Sequence, residues 1–263
     1  MNKDLYPMIF KRKSYHTFKN NKTKKYYSLD YKISEEEYED ILNAFYSFDS
    51  LYPDIKVDIR IADNEETTCK RGQEKVILLY SEEKENYLMN IGYIGEQLDL
   101  YLASKNIGTL WFGLNKAKMP DYNDLKYVIM IAICKTPEDS FRKDMYKATR
   151  KIKEDIWSGE ELFDISNIIR FAPSACNTQP WKVINTNNIL EVYRYVSPIR
   201  KWVMPIDGVL HYNHIDIGIF LCFLELCLIE NNTMFSRDLF IDKENKEMNL
   251  VAKYKLGGIY EKR

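Results

Sequence analysis

The sequence holds little that would commit it to nucleic acid, metal or membrane. Its 38 Lys and Arg residues nearly balance 39 Asp and Glu, for a formal net charge of −1. No global field therefore draws it to a polyanion or an anionic surface. Histidine is scarce, at 3 residues. His211 and His214 lie close together, but with no Cys or third ligand at metal spacing they do not make a metal site. The 5 cysteines, Cys69, Cys134, Cys176, Cys222 and Cys227, are odd in number and irregularly spaced, which excludes a disulfide framework. Cys222 and Cys227 sit in a strongly apolar stretch and read as small core residues. Cys176 has no His or Lys near it in sequence to lower its thiol pKa and reads as a bystander. No apolar run is expected to reach the length of a membrane span, and Met1-Asn2-Lys3-Asp4-Leu5-Tyr6-Pro7 lacks a signal-type apolar region. A cytoplasmic protein without nucleic-acid or membrane partners is the expectation. No Ser-His-Asp set or carboxylate pair presents itself as a catalyst.

What is present suits a globular enzyme-sized chain. With 263 residues, 45% hydrophobic and 29% charged, it can bury one large core or two smaller ones. Residues 19–33, rich in Lys, Asn and Tyr, read as an exposed connection. Ser34-Glu35-Glu36-Glu37 has the pattern of a capping box, and Tyr38, Ile41, Leu42 and Phe45 follow on one helical face. Val57, Ile59 and Ile61 alternate as a strand, and Lys75 to Tyr80 reads as another. The spacing of Ile91, Ile94, Leu98 and Leu102 predicts a long helix over 86–107, with Gly108 as its C-terminal cap. Tyr127 to Cys134 is a continuous apolar run, hence a buried strand. The cations Arg142, Lys143, Lys147, Arg150, Lys151 and Lys153 come next, a run that is usually a solvated helix face.

Two short stretches carry chemistry. Lys11-Arg12-Lys13-Ser14-Tyr15-His16-Thr17-Phe18 gathers cations and a hydroxyl, a composition suited to a phosphate, although a solvated basic arm would look the same. The second is Phe171-Ala172-Pro173-Ser174-Ala175-Cys176-Asn177-Thr178-Gln179-Pro180-Trp181. Pro173 stops the helix marked by Ile165, Ile168 and Ile169, and Pro180 leads into a strand at Trp181-Lys182-Val183. The loop between them can bring backbone N–H groups, Ser174, Asn177 and Gln179 to a flat, polar-edged ligand. It can also be an ordinary helix-to-strand connection.

The pattern A-P-S-A-x-N-x-Q-P-W closely resembles the loop with which FMN-dependent nitroreductases touch the flavin ring. The opening resembles the R-R-S-x-R-x-F segment that grips FMN phosphate and ribityl chain in that family. Arg12, Ser14 and Phe18 are kept, while Lys13 and His16 stand where the family usually has Arg. Gly95-Glu96-Gln97 through Asn106-Ile107-Gly108-Thr109-Leu110-Trp111-Phe112-Gly113 is similar to the family's central helix and its L-G-x-x-W-x-G loop. By itself Trp111 reads as a core aromatic. The resemblance implies an α+β nitroreductase-like fold, and FMN bound by Arg12, Lys13, Ser14, His16, Trp111, Phe112, Gly113, Pro173, Ser174, Ala175, Asn177 and Gln179. Arg150 and Lys151 are implied as the basic pair that closes on the phosphate. NADH or NADPH is the implied donor and a small electron-poor molecule, such as a nitroaromatic or quinone, the acceptor. A flavin-binding or other flat-ligand-binding protein without turnover is the rival reading.

The chain also repeats itself at an offset of 124. Ser158-Gly159-Glu160-Glu161 is read as a second capping box. Leu162, Ile165, Ile168 and Ile169 repeat the face of Tyr38, Ile41, Ala44 and Phe45. Ser50 falls under Ser174, and the apolar helix Ile215 to Ile229 answers the helix from Tyr93. Two related halves, 1–155 and 156–263, are expected. They match the duplicated, single-chain branch of the family, a fused pseudo-dimer, with the weakest resemblance after Met234. Asp49-Ser50-Leu51-Tyr52-Pro53-Asp54-Ile55 lacks the Asn, Gln and Trp of the second half's loop. One FMN per chain is the expectation, with a monomer sufficient and further dimerisation open.

Overall fold

The computed structural model describes residues 1–113, 116–195, 206–242 and 248–259. The chain divides into two units, one of Asn2–Tyr87 with Ile94–Met145 and one of Met1 with Leu88–Tyr93 and Tyr146–Arg263. The first contains α1 (Tyr6–Lys11), α2 (Glu35–Ser47), β1 (Val57–Ala62), β2 (Lys75–Ser81), most of α3 (Tyr87–Ser104), β3 (Ile107–Phe112), β4 (Asp121–Tyr122) and β5 (Leu125–Lys135). The second contains α4 (Lys153–Ile156), β6 (Trp157–Gly159), α5 (Ile165–Ile169), β7 (Trp181–Thr186), β8 (Ile189–Tyr195), α6 (Ile206–Glu230), β9 (Thr233–Leu239) and β10 (Met248–Ile259). The class is α+β.

The first sheet runs β1-β2-β5-β3, with β4 also on β5, and every pairing is antiparallel. Its central strands β2 and β5 read as apolar runs because both of their faces are covered; Val76 to Tyr80 and Met130 to Cys134 are buried throughout. The second sheet runs β6-β7-β8-β10-β9, with β6 parallel to β7 and the rest antiparallel. Apart from β4 and β6, the two sheets share one connection pattern. A hairpin is followed by a long helix, then by an edge strand, then by a strand inserted between the two. In the second unit Trp181, almost fully buried, stacks on Phe220 of α6 with ring centroids 4.8 Å apart.

Several expectations are met and several are corrected. Ser34 caps α2 as read: its hydroxyl accepts from the Glu37 N–H at 3.2 Å and Glu37 reaches back to the Ser34 N–H at 3.1 Å. Ser158 does not cap a helix. It lies in β6, where Gly159 takes φ +90 and a Cβ would meet the Asn185 carbonyl oxygen at 1.9 Å, so β-pairing overrides the local pattern. The long helix ends at Ser104 rather than 107. Asn106 turns the chain at φ 56, and Gly108 is a strand residue packed against the Tyr15 ring. Residues 19–33 are not wholly exposed, because Tyr27 and Ile33 are buried. The cations from Arg142 to Lys151 lie on no α-helix, only Lys147 falling in a short 3-10 turn (Met145–Lys147), and α4 begins at Lys153. An apolar run does reach span length: His211–Glu230 of α6 has the length and hydropathy of a membrane-crossing helix, with 83% of that window buried inside the fold.

Residues 88–93 of α3 belong to the second unit and press against α6. A Cβ at Gly92 would meet the Ile215 carbonyl oxygen at 2.0 Å, and one at Gly218 would meet the Met89 carbonyl oxygen at 1.9 Å. Backbone stands against backbone at both points, so no side-chain rotation can make room. Gly218→Ala should therefore destabilise the chain by about 1–3 kcal/mol, the usual range for overpacking. An unchanged urea midpoint would contradict the close crossing.

Candidate functional site

In the first unit the basic segment follows directly from α1. Arg12 terminates that helix and is buried at 3% exposure. Its guanidinium donates to Asp99 Oδ2 from Nε at 3.1 Å and Nη2 at 2.9 Å, and lies 3.6 Å from Glu96 Oε1. Nη2 also donates to Ser14 Oγ at 3.2 Å. Asp99 further accepts the Thr109 hydroxyl at 2.6 Å and the Trp111 indole N–H at 3.0 Å. Gly95, one turn before Asp99 on α3, leaves room for the Trp111 ring, which a Cβ there would meet at 2.4 Å. Arg12, Ser14 and Trp111 are thus gathered by a carboxylate that the motif reading missed. The available signal was two acids, Glu96 and Asp99, inside an apolar helical stripe. Burial opposes the Arg12 charge, but Asp99 and Glu96 outweigh it and raise its pKa. Burial, with Asp99 beside it, pushes the Glu96 carboxyl well above the usual carboxylate range; Arg12 pulls it back only in part.

The neighbouring cations are less well matched. Lys13 Nζ donates to the Ser140 carbonyl at 3.0 Å and lies 4.7 Å from the centre of the Tyr15 ring. Burial and then the like charge of Arg142 lower its pKa; burial and then Arg12 lower that of Arg142. Both side chains are half-buried, and among the described residues neither is ion-paired with a carboxylate. Crowded, partly desolvated cations of this kind favour an anion. Arg142 is held in place by its backbone N–H, which donates to the Lys11 carbonyl at 3.1 Å. The resemblance pointed instead to Arg150 and Lys151, and a run of six cations without periodicity gives no way to choose among them. His16 is exposed and makes no hydrogen bond to this group. Phe112 lies under the Arg71 guanidinium at 4.9 Å, and the half-buried Gly113 follows the end of β3.

The motif loop belongs to the second unit. Three of its non-glycine residues are left-handed: Cys176 at φ 51, Asn177 at φ 54 and Gln179 at φ 48. Arg150 and Lys151 clamp it from one side. Arg150 Nη1 donates to Asn177 Oδ1 at 3.0 Å, the Lys151 N–H to Gln179 Oε1 at 2.8 Å, and Lys151 Nζ to the Gln179 carbonyl at 2.9 Å. Ser174 Oγ closes the loop by accepting the Gln179 N–H at 3.0 Å. From α6, Asp216 Oδ1 accepts the Ala175 N–H at 2.9 Å and Asn213 Oδ1 accepts the Thr178 hydroxyl at 3.0 Å. Sequence reading missed both α6 residues. Pro173 and Gln179 are buried, while Ser174, Ala175, Cys176 and Asn177 remain half-exposed. The loop therefore offers a ligand its first half, and Gln179 serves to shape it. Among the described residues no cluster of His, Cys, Asp and Glu could hold a metal ion.

Comparison with known proteins gives these elements a context. The family model described as "Putative TM nitroreductase" matches residues 4–228. Among solved structures, a "putative nitroreductase" from Thermotoga maritima superposes with a TM-score of 0.60 at 20% identity, covering 97% of this chain and 94% of its own. A nitroreductase in complex with FMN from Desulfovibrio desulfuricans matches 62% of this chain and 99% of its own, at 16% identity and a TM-score of 0.42. No curated protein matches. The family match spans most of the chain and takes in both the basic segment and the strained loop, and on that ground the chain belongs to the nitroreductase family.

Proposed function

We propose that the protein is an FMN-dependent oxidoreductase in which NADH or NADPH reduces the flavin and an electron-poor acceptor, such as a nitroaromatic or quinone, reoxidises it. The observation that carries this reading is the crowding of Arg142, tied by its backbone N–H to the Lys11 carbonyl, with Lys13, the neighbour of Ser14; among the described residues neither cation has a carboxylate partner, which fits a phosphate dianion. Lys13, Ser14 and Arg142 would hold the phosphate, with Arg12 fixing Ser14 from behind. Trp111, Phe112 and Gly113 would serve the ring, as would the motif loop through the half-exposed Ser174, Ala175 and Asn177 and the buried Pro173 and Gln179 that shape it. Donors near the ring stabilise the negative charge of the reduced flavin. FMN supplies the two-electron redox chemistry when bound; the protein supplies binding, orientation and electrostatics. Arg150 and Lys151 act through Asn177 and Gln179. His16, being exposed, is the weakest member of the set. FMN held without turnover is the second reading, favoured by the commitment of Arg12 to Asp99 and by the exposure of His16.

We further infer that the chain is a fused pseudo-dimer of halves 1–155 and 156–263. The matching strand orders support this. So does the helix crossing, where Gly92 meets Ile215 and Gly218 meets Met89. An offset of 126 exchanges these two pairs, as an isologous contact requires. The same offset carries Asp99 and its donor Trp111 onto Glu225 and its donor Arg237. At the second position, however, Arg237, Tyr93 and Tyr254 all bond Glu225, so the cation there is committed to the acid. One FMN per chain follows, and a monomer suffices to bind it.

Arg12→Ala should act chiefly on stability, because it strands the buried Asp99 charge; a loss of about 3–5 kcal/mol is expected in urea denaturation. A variant as stable as the parent would contradict the buried pair. For Lys13, a folded-state pKa below the unfolded value means that the unfolded chain binds more protons, so the charge destabilises until pH rises past the unfolded pKa. Lys13→Gln should accordingly leave thermal stability unchanged or raised in anion-free buffer near neutral pH. The same variant, like Arg142→Gln, should weaken FMN binding by about 1.5–3 kcal/mol. Equal FMN affinity in both variants would remove the phosphate assignment. Titration of FMN into apoprotein should saturate at one per chain, and anaerobic NADH or NADPH should bleach the bound flavin. Saturation at two per chain would refute the single site, and binding without bleaching would favour the second reading.

A further inference from the structure

The motif loop is held in a conformation its own residues disfavour. A left-handed backbone is tolerated by Asn but uncommon for Cys and Gln, and it persists only where surroundings over-determine it. Cys176, Asn177 and Gln179 all adopt it within four residues. One clamp, from Arg150 and Lys151, engages the side chains of Asn177 and Gln179 and the Gln179 carbonyl. The other comes from α6. Asn213 and Asp216 stand one turn apart on that helix, are 2% and 3% exposed, and point polar groups at Thr178 and Ala175. An acid in a helix otherwise apolar enough to span a membrane needs a partner to be tolerated there, and the Ala175 N–H is one. Burial pushes the Asp216 carboxyl well above the usual carboxylate range, with the Ala175 N–H and the Thr178 hydroxyl pulling it back in part.

We propose that Asp216 is a positioning residue: by accepting the Ala175 N–H it holds the Ser174–Gln179 loop in its left-handed shape, and ligand binding by that loop depends on it. The link to binding rests on the FMN reading above; the link to loop shape does not. Asp216→Leu keeps the bulk and removes the acceptor, whereas Asp216→Asn keeps an acceptor oxygen in place. Hydrogen exchange of the apoprotein over residues 172–181 reads loop order directly. In Asp216→Leu, exchange in the loop should rise at least about tenfold while β7 stays protected, and in Asp216→Asn it should stay within about threefold of the parent. FMN binding should weaken by at least about tenfold in the Leu variant and recover in the Asn variant. Should Asp216→Leu fail to fold, Asp216→Ala, which removes the same acceptor without added bulk, takes its place with the same expected loosening. Unchanged loop exchange, or equal loosening in Asp216→Asn, would overturn the proposal. A loosened loop with undiminished FMN affinity would overturn its link to binding. If the parent protein binds no FMN, the functional reading fails, and the exchange comparison still decides the role of Asp216.

Discussion

One buried carboxylate, Asp99, sets the polar interior of the first unit. A charge removed from water must find opposite charge and donors, or the fold does not form around it. Asp99 finds them in three residues on two elements: Arg12 at the end of α1, and Thr109 and Trp111 on β3. Thr109 and Trp111 are two residues apart and share a face of the strand, as its pleat requires. Arg12 is the cap of its helix, so pairing it also fixes where Lys13 and Ser14 begin. The geometry of this stretch, on which the proposed phosphate grip rests, is therefore a consequence of an ion pair behind it. That pair uses Arg12 and leaves the neighbouring cations unmatched.

The second unit depends on the same rule in a more apolar setting. α6 is hydrophobic along most of its length, and three of its buried polar residues have a defined task. Asn213 and Asp216 pin the motif loop, while Glu225 takes the Tyr93 and Tyr254 hydroxyls and the Arg237 guanidinium. These bonds let a helix with span-like hydropathy serve as the core of a folded unit. They also explain why the strained loop has a stable shape without a glycine in it.

The sequence made local structure legible wherever local and tertiary preferences agree. Ser34 and Glu37 cap α2 because the tertiary partner of Glu37, Lys135, takes its other oxygen, and β2 and β5 are apolar because both faces are covered. The pattern misled at Ser158, where the chain runs beside β7 and pairing with it outweighs a capping box. It also misled at Gly108, which makes room for Tyr15 in a strand instead of ending a helix. The motif residues were legible through their resemblance, but their roles were not. Gln179 and Arg12 look like ligand contacts in a pattern and are buried in place. Arg142, one cation among several, gave no periodic signal that it would stand by Lys13. Asp99, Asn213 and Asp216 could have been suspected only as polar residues in apolar helices, since the partners that explain them lie far away in sequence.

The comparison of Asp99 with Glu225 carries the asymmetry furthest. Both acids lie on a long helix, and both accept from a residue twelve positions later, Trp111 in one case and Arg237 in the other. A neutral indole at that position leaves the acid dependent on a cation from elsewhere, and Arg12 supplies it from the segment that also carries Lys13 and Ser14. At Glu225 the donor is a guanidinium that brings its own charge, and the Tyr93 and Tyr254 hydroxyls complete the set. The type of donor thus decides whether a buried acid must recruit a cation from another segment. Where it must, the recruitment leaves positive charge to spare, and that surplus is what an anionic cofactor would find.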